Sequence, residues 1–279
     1  MTTTLRPTGP LQTAADGTRS RAYDVCVNSR PVGVVRLATD PGFGREAGVI
    51  ESLRIDEADR RRGRGTVAAL AAEEVLRGWG CTQVHVSVPP EAGIAQRMVE
   101  AFGYTERSRN MVKDLAGPPP ALPDGIETRP MTREEFVVWE AAGRQSYAES
   151  WIARGVPEDQ AHAKAEASHR DLLPEGLDSP GVSIEVVLRD GALVGHVWTA
   201  RRELEPGVSG WYVYDVLVDA EQRGHGYGRA LMLLAERVAA DAGASLLGLH
   251  VFAGNTPALA LYESLGYRTT HVNSYKTLL

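Results

Sequence analysis

VLVDAEQRGHGYGRALMLLAERV, residues 216–238, has the order of a β-strand, a glycine-rich loop and an α-helix. The strand part is rich in β-branched residues, and apolar residues recur at helical spacing after the loop. In the loop, Gly224, Gly226 and Gly228 permit positive φ angles and let an anion approach the backbone. The helix predicted to open at Gly228 offers unpaired N–H groups at its N-terminus, where anions bind well. The sequence therefore predicts a pyrophosphate site in this loop.

Competing phosphate loops fit the stretch less well. The chain contains no Gly-Lys-Ser/Thr, which a Walker-type NTPase loop requires. Arg229 stands where a dinucleotide fingerprint needs Gly or Ala. The remaining motif, Arg223-x-x-Gly226-x-Gly228, resembles the coenzyme A loop of the GNAT superfamily of N-acetyltransferases, Gln/Arg-x-x-Gly-x-Gly/Ala. Arg223 and Arg229 would add charged donors to this site.

A second segment strengthens the resemblance. LLGLHVFAGNTPALALYESLGY, residues 246–267, predicts a strand, then a helix that is capped at Thr256 and stopped by Gly266. In the family, this region is a strand, an Asn and a helix with Leu-Tyr followed by Gly-Tyr or Gly-Phe. Asn255 and Tyr262 occupy the matching positions. Two motifs in the right order favour the GNAT assignment.

The same pattern occurs earlier in the chain. Shifting the sequence by 163 positions superposes about sixty residues of the first half on the second half without a gap. The identical pairs include Asp56/Asp219, Arg60/Arg223, Gly63/Gly226, Gly65/Gly228, Glu73/Glu236, Gly80/Gly243, Gly103/Gly266, Tyr104/Tyr267, Asn110/Asn273 and Lys113/Lys276. This constant offset predicts an internal duplication, and therefore two tandem GNAT-like copies.

The two copies differ in their chemistry. The same offset places Val99 opposite Tyr262 and Ala92 opposite Asn255. The first copy retains an anion loop at Arg60, Gly63 and Gly65. We expect no acyl transfer there, which leaves coenzyme A binding at a second loop, or packing, as its role. The same glycines also fit a loose dinucleotide pattern, but no acidic residue ends the following strand.

We predict an α/β (α+β) protein of two tandem GNAT folds, each with a mixed, mostly antiparallel sheet flanked by helices. The predicted domains are residues 1–115, degenerate, and 125–279, catalytic, joined by a proline-rich linker at 116–124. Residues 1–20 are polar and aperiodic, and predict an irregular lead-in. In layout the chain is also similar to the mycothiol synthases, tandem enzymes of this superfamily, although no residue here specifies their substrate.

The composition limits the classes of partner that we expect for this protein. Cys26 and Cys81 are too few for a disulfide framework and lack metal-type spacing, which favours the cytoplasm and no metal. No apolar run approaches membrane length, so we expect no membrane partner. Residues 1–115 carry 16 basic and 14 acidic side chains, and residues 116–279 carry 14 and 22. The acidic second half favours cationic partners over nucleic acid.

Acyl transfer to an amine needs a base, an acid and a site for the oxyanion. Tyr262 is the candidate acid, since a phenol with a pKa near ~10 is protonated at neutral pH. Asp215 is the candidate base, acting directly or through water; a satisfied strand-end carboxylate is the alternative. The resemblance implies that the backbone of Val216, Leu217 and Val218 lies beside pantetheine and the oxyanion. Asn255 either contacts the coenzyme or merely precedes the helix cap.

Other polar residues are assigned by position. His225 and Tyr227 fill variable positions of the coenzyme loop and are expected to face solvent. His196 and His250 lie in strands, where core or cleft histidines are commoner than bases. A helix predicted from a Thr132-x-x-Glu135 capping box to about Arg154, and a second helix from Pro157, supply candidate acceptor contacts. These candidates, which are equally compatible with ordinary helix packing, are Tyr147, Glu149, Trp151 and His162.

The predicted activity is acetyl-CoA-dependent acetylation of a primary amine, a small molecule, by direct transfer. No covalent acyl-enzyme is expected, since neither cysteine lies in the motifs. A protein or peptide N-acetyltransferase and a non-enzymatic acyl-CoA-binding module are the alternatives. The acceptor, the acyl length and the oligomeric state are not encoded in these patterns.

Overall fold

The computed structural model describes residues 2–40, 46–153, 156–205 and 207–278. The chain divides into two compact units: unit 1 comprises residues 1–108 and 271–279, and unit 2 comprises residues 109–270. In each unit, helices flank a mixed, mostly antiparallel sheet, as the sequence predicted. No helix among the described residues combines the length and the apolar character that crossing a bilayer requires.

The described residues form thirteen strands and six α-helices. The strands are β1 Thr3–Pro7, β2 Gln12–Thr13, β3 Arg19–Val27, β4 Arg30–Thr39, β5 Ala47–Ile55, β6 Gln83–Val88, β7 Thr105–Asp114, β8 Ile126–Pro130, β9 Val182–Arg189, β10 Ala192–Glu205, β11 Val208–Val218, β12 Leu246–Phe252 and β13 Arg268–Thr277. The helices are α1 Arg64–Gly78, α2 Gly93–Ala101, α3 Arg133–Ile152, α4 Glu158–Leu172, α5 Tyr227–Asp241 and α6 Thr256–Ser264.

The strands within the two units follow corresponding orders. In unit 1 the order is β1-β3-β4-β5-β6-β13, and in unit 2 it is β8-β9-β10-β11-β12-β7. The central pairs, β5 with β6 and β11 with β12, are parallel. Each parallel pair is joined through a helix that follows the glycine loop, α1 in unit 1 and α5 in unit 2. This order places both glycine loops at the end of a central strand.

The core of unit 2 forms around α5. Its apolar residues recur every three or four positions, so they form one buried face against the sheet. Leu231 and Ala235 are fully buried and Leu234 is 4% exposed. They pack with strand residues such as Leu247 and Leu249. The apolar periodicity therefore gives α5 one buried face, and the packing of this face on the sheet fixes the position of the glycine loop that precedes the helix.

The last strand of each sequence copy lies in the unit formed by the other copy. Lys113, at the end of β7, bonds to Glu236 of unit 2, with 2.7 Å between Nζ and Oε2. Lys276, near the end of β13, bonds to Glu73 of unit 1 at 2.8 Å. Both carboxylates are nearly fully buried, with side-chain exposures of 3% for Glu236 and 5% for Glu73.

These units differ from the predicted domains 1–115 and 125–279. The structure assigns residues 271–279 to unit 1 and residues 109–114 to unit 2. The predicted linker, residues 116–124, contains neither helix nor strand. That residues 1–115 and residues 125–279 each fold as a separate domain stays a prediction.

Local predictions mostly agree with the elements. Thr132 and Glu135 form the predicted capping box at the start of α3. That helix ends at Ile152, and Arg154 lies outside the described residues. The irregular lead-in predicted for residues 1–20 is wrong, because β1 pairs with β3 along its whole length. Strands at the edge of a sheet are short and polar, so their sequences give a weak hydrophobic signal.

Candidate functional site

The glycine loop of unit 2 ends in a left-handed residue. Gly226 is the N-cap of α5, with φ 83° and ψ 1°, and Gly224 also has a φ of 83°. The predicted helix start at Gly228 is therefore wrong by one residue, since α5 begins at Tyr227. Gly228 is needed for packing instead, because a Cβ there would lie 3.3 Å from Leu261 on α6. The loop presents the free N–H groups of a helix N-terminus to solvent, as an anion site requires.

The charged side chains of the loop bind within the unit. Arg223 donates from Nε to the carbonyl of Val218 at 3.3 Å, which ties the loop to the end of β11. Arg229 donates to Ser264 Oγ at 2.6 Å, and so joins α5 to α6. His225 is exposed, as expected. Tyr227 is not, because it packs against the core of the unit.

The parallel strands β11 and β12 separate beyond a short paired segment. Their register runs only from Trp211 opposite Leu247 to Val213 opposite Leu249, among the residues that the structure describes. On the side facing β12, the backbone of residues 216–218 has no strand partner there. Large apolar side chains are exposed on both strands beyond this point, with Leu217 44% and Phe252 36% exposed. We refer to the parts of the two strands beyond this paired segment, residues 214–218 and 250–252, as the β11–β12 slot.

Tyr262 lies on α6 and is 6% exposed. Burial, with a smaller contribution from the negative charge of Asp215, raises the pKa of its phenol to about 12. The group therefore keeps its proton at neutral pH. Asn255 is the N-cap of the same helix, and its side chain accepts a hydrogen bond from the Ala258 N–H at 3.2 Å. The predicted cap at Thr256 is wrong by one residue.

A β-bulge orients Asp215. The register between β10 and β11 shifts next to Trp198, so that Tyr214 is an extra residue in β11. Tyr214 stacks on Trp198 with ring centroids 5.0 Å apart. Asp215 Oδ2 lies 2.8 Å from Nε2 of His196, which is two residues before Trp198 on the same face of β10. The bulge thus turns Tyr214 and Asp215 towards the same face.

The sequence did not identify His196 and Trp139 as partners of Asp215. His196 is 8% exposed, whereas the Asp215 side chain is 41% exposed. Trp139, on α3, has its Nε1 2.9 Å from the same Nε2 of His196. His196 and Trp198 are two positions apart on one strand, and this spacing predicts that their side chains lie on the same face of the sheet. No local pattern connects Trp139 with them, because Trp139 lies 57 residues before His196 in the sequence.

A cluster of aromatic rings surrounds this pair. Trp139 meets Trp198 edge-on at 5.4 Å, and the ring of His169, on α4, lies 5.8 Å from Trp198. Burial lowers the pKa of His169, which keeps this imidazole neutral. The part of the Asp215 side chain that contacts His196 therefore lies in a largely apolar, aromatic environment.

The acceptor contacts predicted from sequence lie elsewhere on α3 and α4. Tyr147 and Trp151 pack edge-on at 6.0 Å and join the small cluster between the two helices. Glu149 is exposed and accepts a hydrogen bond from Gln145 at 2.7 Å. His162 is half-buried. His250, in β12, is exposed and has its Nδ1 3.0 Å from Asn110 Oδ1.

The corresponding loop of unit 1 has the same backbone but different side chains. Gly63 is the N-cap of α1, with φ 72° and ψ 1°. Arg60 donates to the carbonyl of Ile55 at 2.8 Å, as Arg223 does to Val218 in unit 2. A buried carboxylate, Asp59, forms ion pairs with Arg30 and Arg64 at this loop. Gly65 lies in the first turn of α1.

The chain matches the Acetyltransferase (GNAT) family at residues 4–104 and again at 144–267. It is 33% identical to the uncharacterized N-acetyltransferase YdgE of Bacillus subtilis, over 53% of this chain and 95% of YdgE. It is 27% identical to a mycothiol acetyltransferase of Saccharomonospora viridis, over 96% of this chain and 87% of that protein. A second mycothiol acetyltransferase, from Brachybacterium faecium, is 31% identical over 80% of this chain and 66% of its own length.

Two solved structures share the fold. A tandem GNAT protein from the clavulanic acid biosynthesis pathway is similar at 21% identity and a TM-score of 0.50, over 95% of this chain and 85% of its own. A GCN5-related N-acetyltransferase from Sphaerobacter thermophilus gives 20% identity and a TM-score of 0.58, over 92% and 80%. Together with the repeated family match, these similarities establish that the chain belongs to the GNAT acetyltransferase family, as an acyltransferase with two tandem GNAT domains.

Proposed function

We propose that unit 2 transfers an acetyl group from acetyl-CoA directly to a primary amine of a small molecule. The observation that carries the proposal is the early end of the β11–β12 pairing at Val213, with the glycine loop following β11 and Tyr262 near enough to Asp215 to be affected by its charge. The loop would hold the pyrophosphate through the N–H groups of residues 224–228, and the β11–β12 slot would hold pantetheine beside the backbone of residues 216–218. Asn255 would serve chiefly as a helix cap.

The chemistry follows from the two side chains. An alkylammonium with a pKa near ~10.4 must lose a proton before its nitrogen can attack, and Asp215 would accept that proton. The nitrogen forms a bond to the acetyl carbonyl carbon, and the carbon–sulfur bond breaks. Tyr262 hydrogen-bonds to the sulfur as negative charge develops on it, and supplies a proton to the thiolate. The amide nitrogen releases its second proton, which restores the phenol.

A small cationic acceptor suits the surroundings of the site. The half of the chain that contains Asp215 is acidic, with 14 basic and 22 acidic residues at positions 116–279. Such a field attracts amines that are protonated at neutral pH. The mycothiol acetyltransferases among the relatives are named for a small-molecule substrate. The buried thiols of Cys26 and Cys81 agree with a reducing cytoplasm.

Unit 1 would not catalyse the transfer. Val99, in α2, stands where α6 has Tyr262, and Ala92 is the N-cap where α6 has Asn255. Ser52 pairs with Arg36 beside a register shift, as Asp215 pairs with Trp198, so the base position also lacks a carboxylate. Gly63 still provides an anion-binding backbone, and coenzyme A binding at Arg60, Gly63 and Gly65 remains part of this proposal.

Thiol release from acetyl-CoA, measured with a panel of primary amines, tests the proposal. We expect amine-dependent release that falls about 10²–10⁴-fold in kcat for Tyr262→Phe. The matched control is Tyr267→Phe, a buried tyrosine whose ring lies 5.9 Å from that of Tyr262. Release that is equally fast in both variants would exclude Tyr262 as the acid. Acetylation of a proteome without release on free amines would indicate a protein acceptor.

A further inference from the structure

One nitrogen atom beside the proposed base faces two different partners. His196 Nε2 is 2.9 Å from Trp139 Nε1 and 2.8 Å from Asp215 Oδ2. An indole N–H can only donate a hydrogen bond, and an ionised carboxylate can only accept one. Nε2 can therefore satisfy one of them at a time. With its proton on Nδ1, His196 accepts from Trp139; with a proton on Nε2, it donates to Asp215.

We propose that His196 is a positioning residue that receives, through Asp215, the proton released by the acceptor amine. In this proposal, Trp139 donates to Nε2 in the resting enzyme, so that no proton lies between Nε2 and Oδ2, which are 2.8 Å apart. The ammonium loses one proton to Asp215, which passes it to Nε2. The ammonium becomes a neutral amine, and the neutral imidazole becomes an imidazolium beside the carboxylate. The proton leaves to solvent after the amide product dissociates.

The positions of the three residues support this order of events. Asp215 is partly exposed, with 41% of its side chain accessible, so substrate can reach it. His196 is 11% exposed by its side chain, so the amine itself cannot reach Nε2 and the proton must pass through Asp215. Trp139 is 8% exposed and belongs to a packed cluster, which fixes its N–H on Nε2.

Groups on three other elements lie near this pair. On β9, Val186 is the residue opposite His196. On α4, the neutral ring of His169 contacts Trp139, and it interacts electrostatically with Glu140, Arg144 and Asp215. Tyr262, on α6, is coupled to Asp215 by charge. Of the carboxylates named here, Asp215 is the one in direct contact with Nε2.

The tautomer of His196 in the full-length protein is the first test. Long-range ¹H–¹⁵N NMR identifies the protonated ring nitrogen, with His196→Gln providing the assignment. We expect the Nδ1–H tautomer at neutral pH in the parent and a larger fraction of Nε2–H in Trp139→Phe, which lacks the donor. An Nε2–H tautomer in the parent would overturn the proposal, since the gap would already hold its proton. This measurement needs no acceptor amine.

The pH dependence of kcat/KM is the second test, and it rests on the proposed amine acetylation. In Trp139→Phe we expect the acid limb to move up by about 0.5–1 pH unit, because one neutral hydrogen bond, worth about 1 kcal/mol, no longer opposes protonation of Nε2. The matched control is Trp198→Phe, which removes an indole N–H from the same cluster without touching His196. It should leave the limb in place, and equal shifts in both variants would refute the role of Trp139.

His196→Gln separates a proton-accepting role from packing. The amide keeps a donor for Asp215 but does not titrate. We expect kcat to fall about 10–100-fold, the KM for acetyl-CoA to stay unchanged and the acid limb of the parent to disappear. An acid limb at the parent's position would overturn the proposal. If the parent itself shows no amine-dependent thiol release, the proposed acetylation has failed, and the tautomer measurement still decides on His196.

Discussion

At the scale of single residues, two buried tyrosines of unit 2 differ in the charged residue that lies near each of them. Tyr262 and Tyr267 belong to one core cluster and are both less than 10% exposed. The pKa of Tyr262 is raised by burial and by Asp215, a residue of the proposed site. The pKa of Tyr267 is raised by burial and by Glu236, a buried structural carboxylate. The neighbouring charge therefore distinguishes a candidate acid from a packing residue.

Alkaline titration of tyrosine absorbance near ~295 nm tests the pKa of Tyr262. A phenol with a pKa of about 12 is still protonated at pH values where an ordinary tyrosine, with a pKa near ~10, is ionised. Difference spectra between the parent and Tyr262→Phe should thus show almost no tyrosinate from this residue at about pH 10.5. In guanidinium chloride, the same difference should appear near pH ~10. A signal near that value in the folded protein would contradict the assignment.

At the scale of elements, each glycine loop depends on one left-handed residue at the start of a helix. Gly226 and Gly63 have φ values of 83° and 72°, and nothing lies within 4 Å of a Cβ added at either position. Alanine would therefore meet no clash, and the cost of the substitution is backbone strain alone. Only the loop of unit 2 belongs to the proposed acyl-transfer site, so the two loops form a natural pair for comparison.

Gly226→Ala and Gly63→Ala should each lower the free energy of unfolding by about 1–2 kcal/mol, the cost of a left-handed conformation with a Cβ. Only Gly226→Ala should also raise the KM for acetyl-CoA, by about 10-fold, because a strained loop loses a charge-assisted hydrogen bond to phosphate. Urea unfolding and steady-state thiol release provide the two readouts. Equal increases in KM would show that the loop of unit 1 also serves the reaction.

At the scale of the whole molecule, each unit is completed by a strand from the other half of the sequence. The exchanged strands bring lysines to the buried carboxylates Glu73 and Glu236. In unit 1, Tyr104 also donates to Glu73 at 2.9 Å. A buried carboxylate that loses its cation is strongly destabilising, since its charge remains without compensation.

Lys276→Met should therefore destabilise unit 1, and Lys113→Met should destabilise unit 2, by about 3–5 kcal/mol each. The double variant Lys276→Met/Glu73→Gln should recover part of the loss, because no buried charge is left unpaired. Urea unfolding measures these changes. Heat inactivation of thiol release reports on unit 2, so Lys113→Met should inactivate at a lower temperature than Lys276→Met. The reverse order would contradict the strand assignment.

The sequence alone determined the family, the duplication and the local elements. The spacing of Arg223, Gly226 and Gly228 predicted the coenzyme loop, and the constant offset of 163 residues predicted two similar units. These features depend on residues close together in the chain, so local patterns are sufficient to reveal them. The position of Tyr262 on the helix that follows β12 was predicted from the same kind of local pattern.

Only the tertiary structure decided which strand completes which unit. Lys113 and Lys276 are equivalent in the repeat, so a fold in which each copy kept its own last strand would satisfy Glu73 and Glu236 equally well. Local sequence cannot distinguish two arrangements with the same pairs. The contact between Trp139 and His196 was hidden for a related reason: it joins a helix and a strand 57 residues apart, and only packing brings them together.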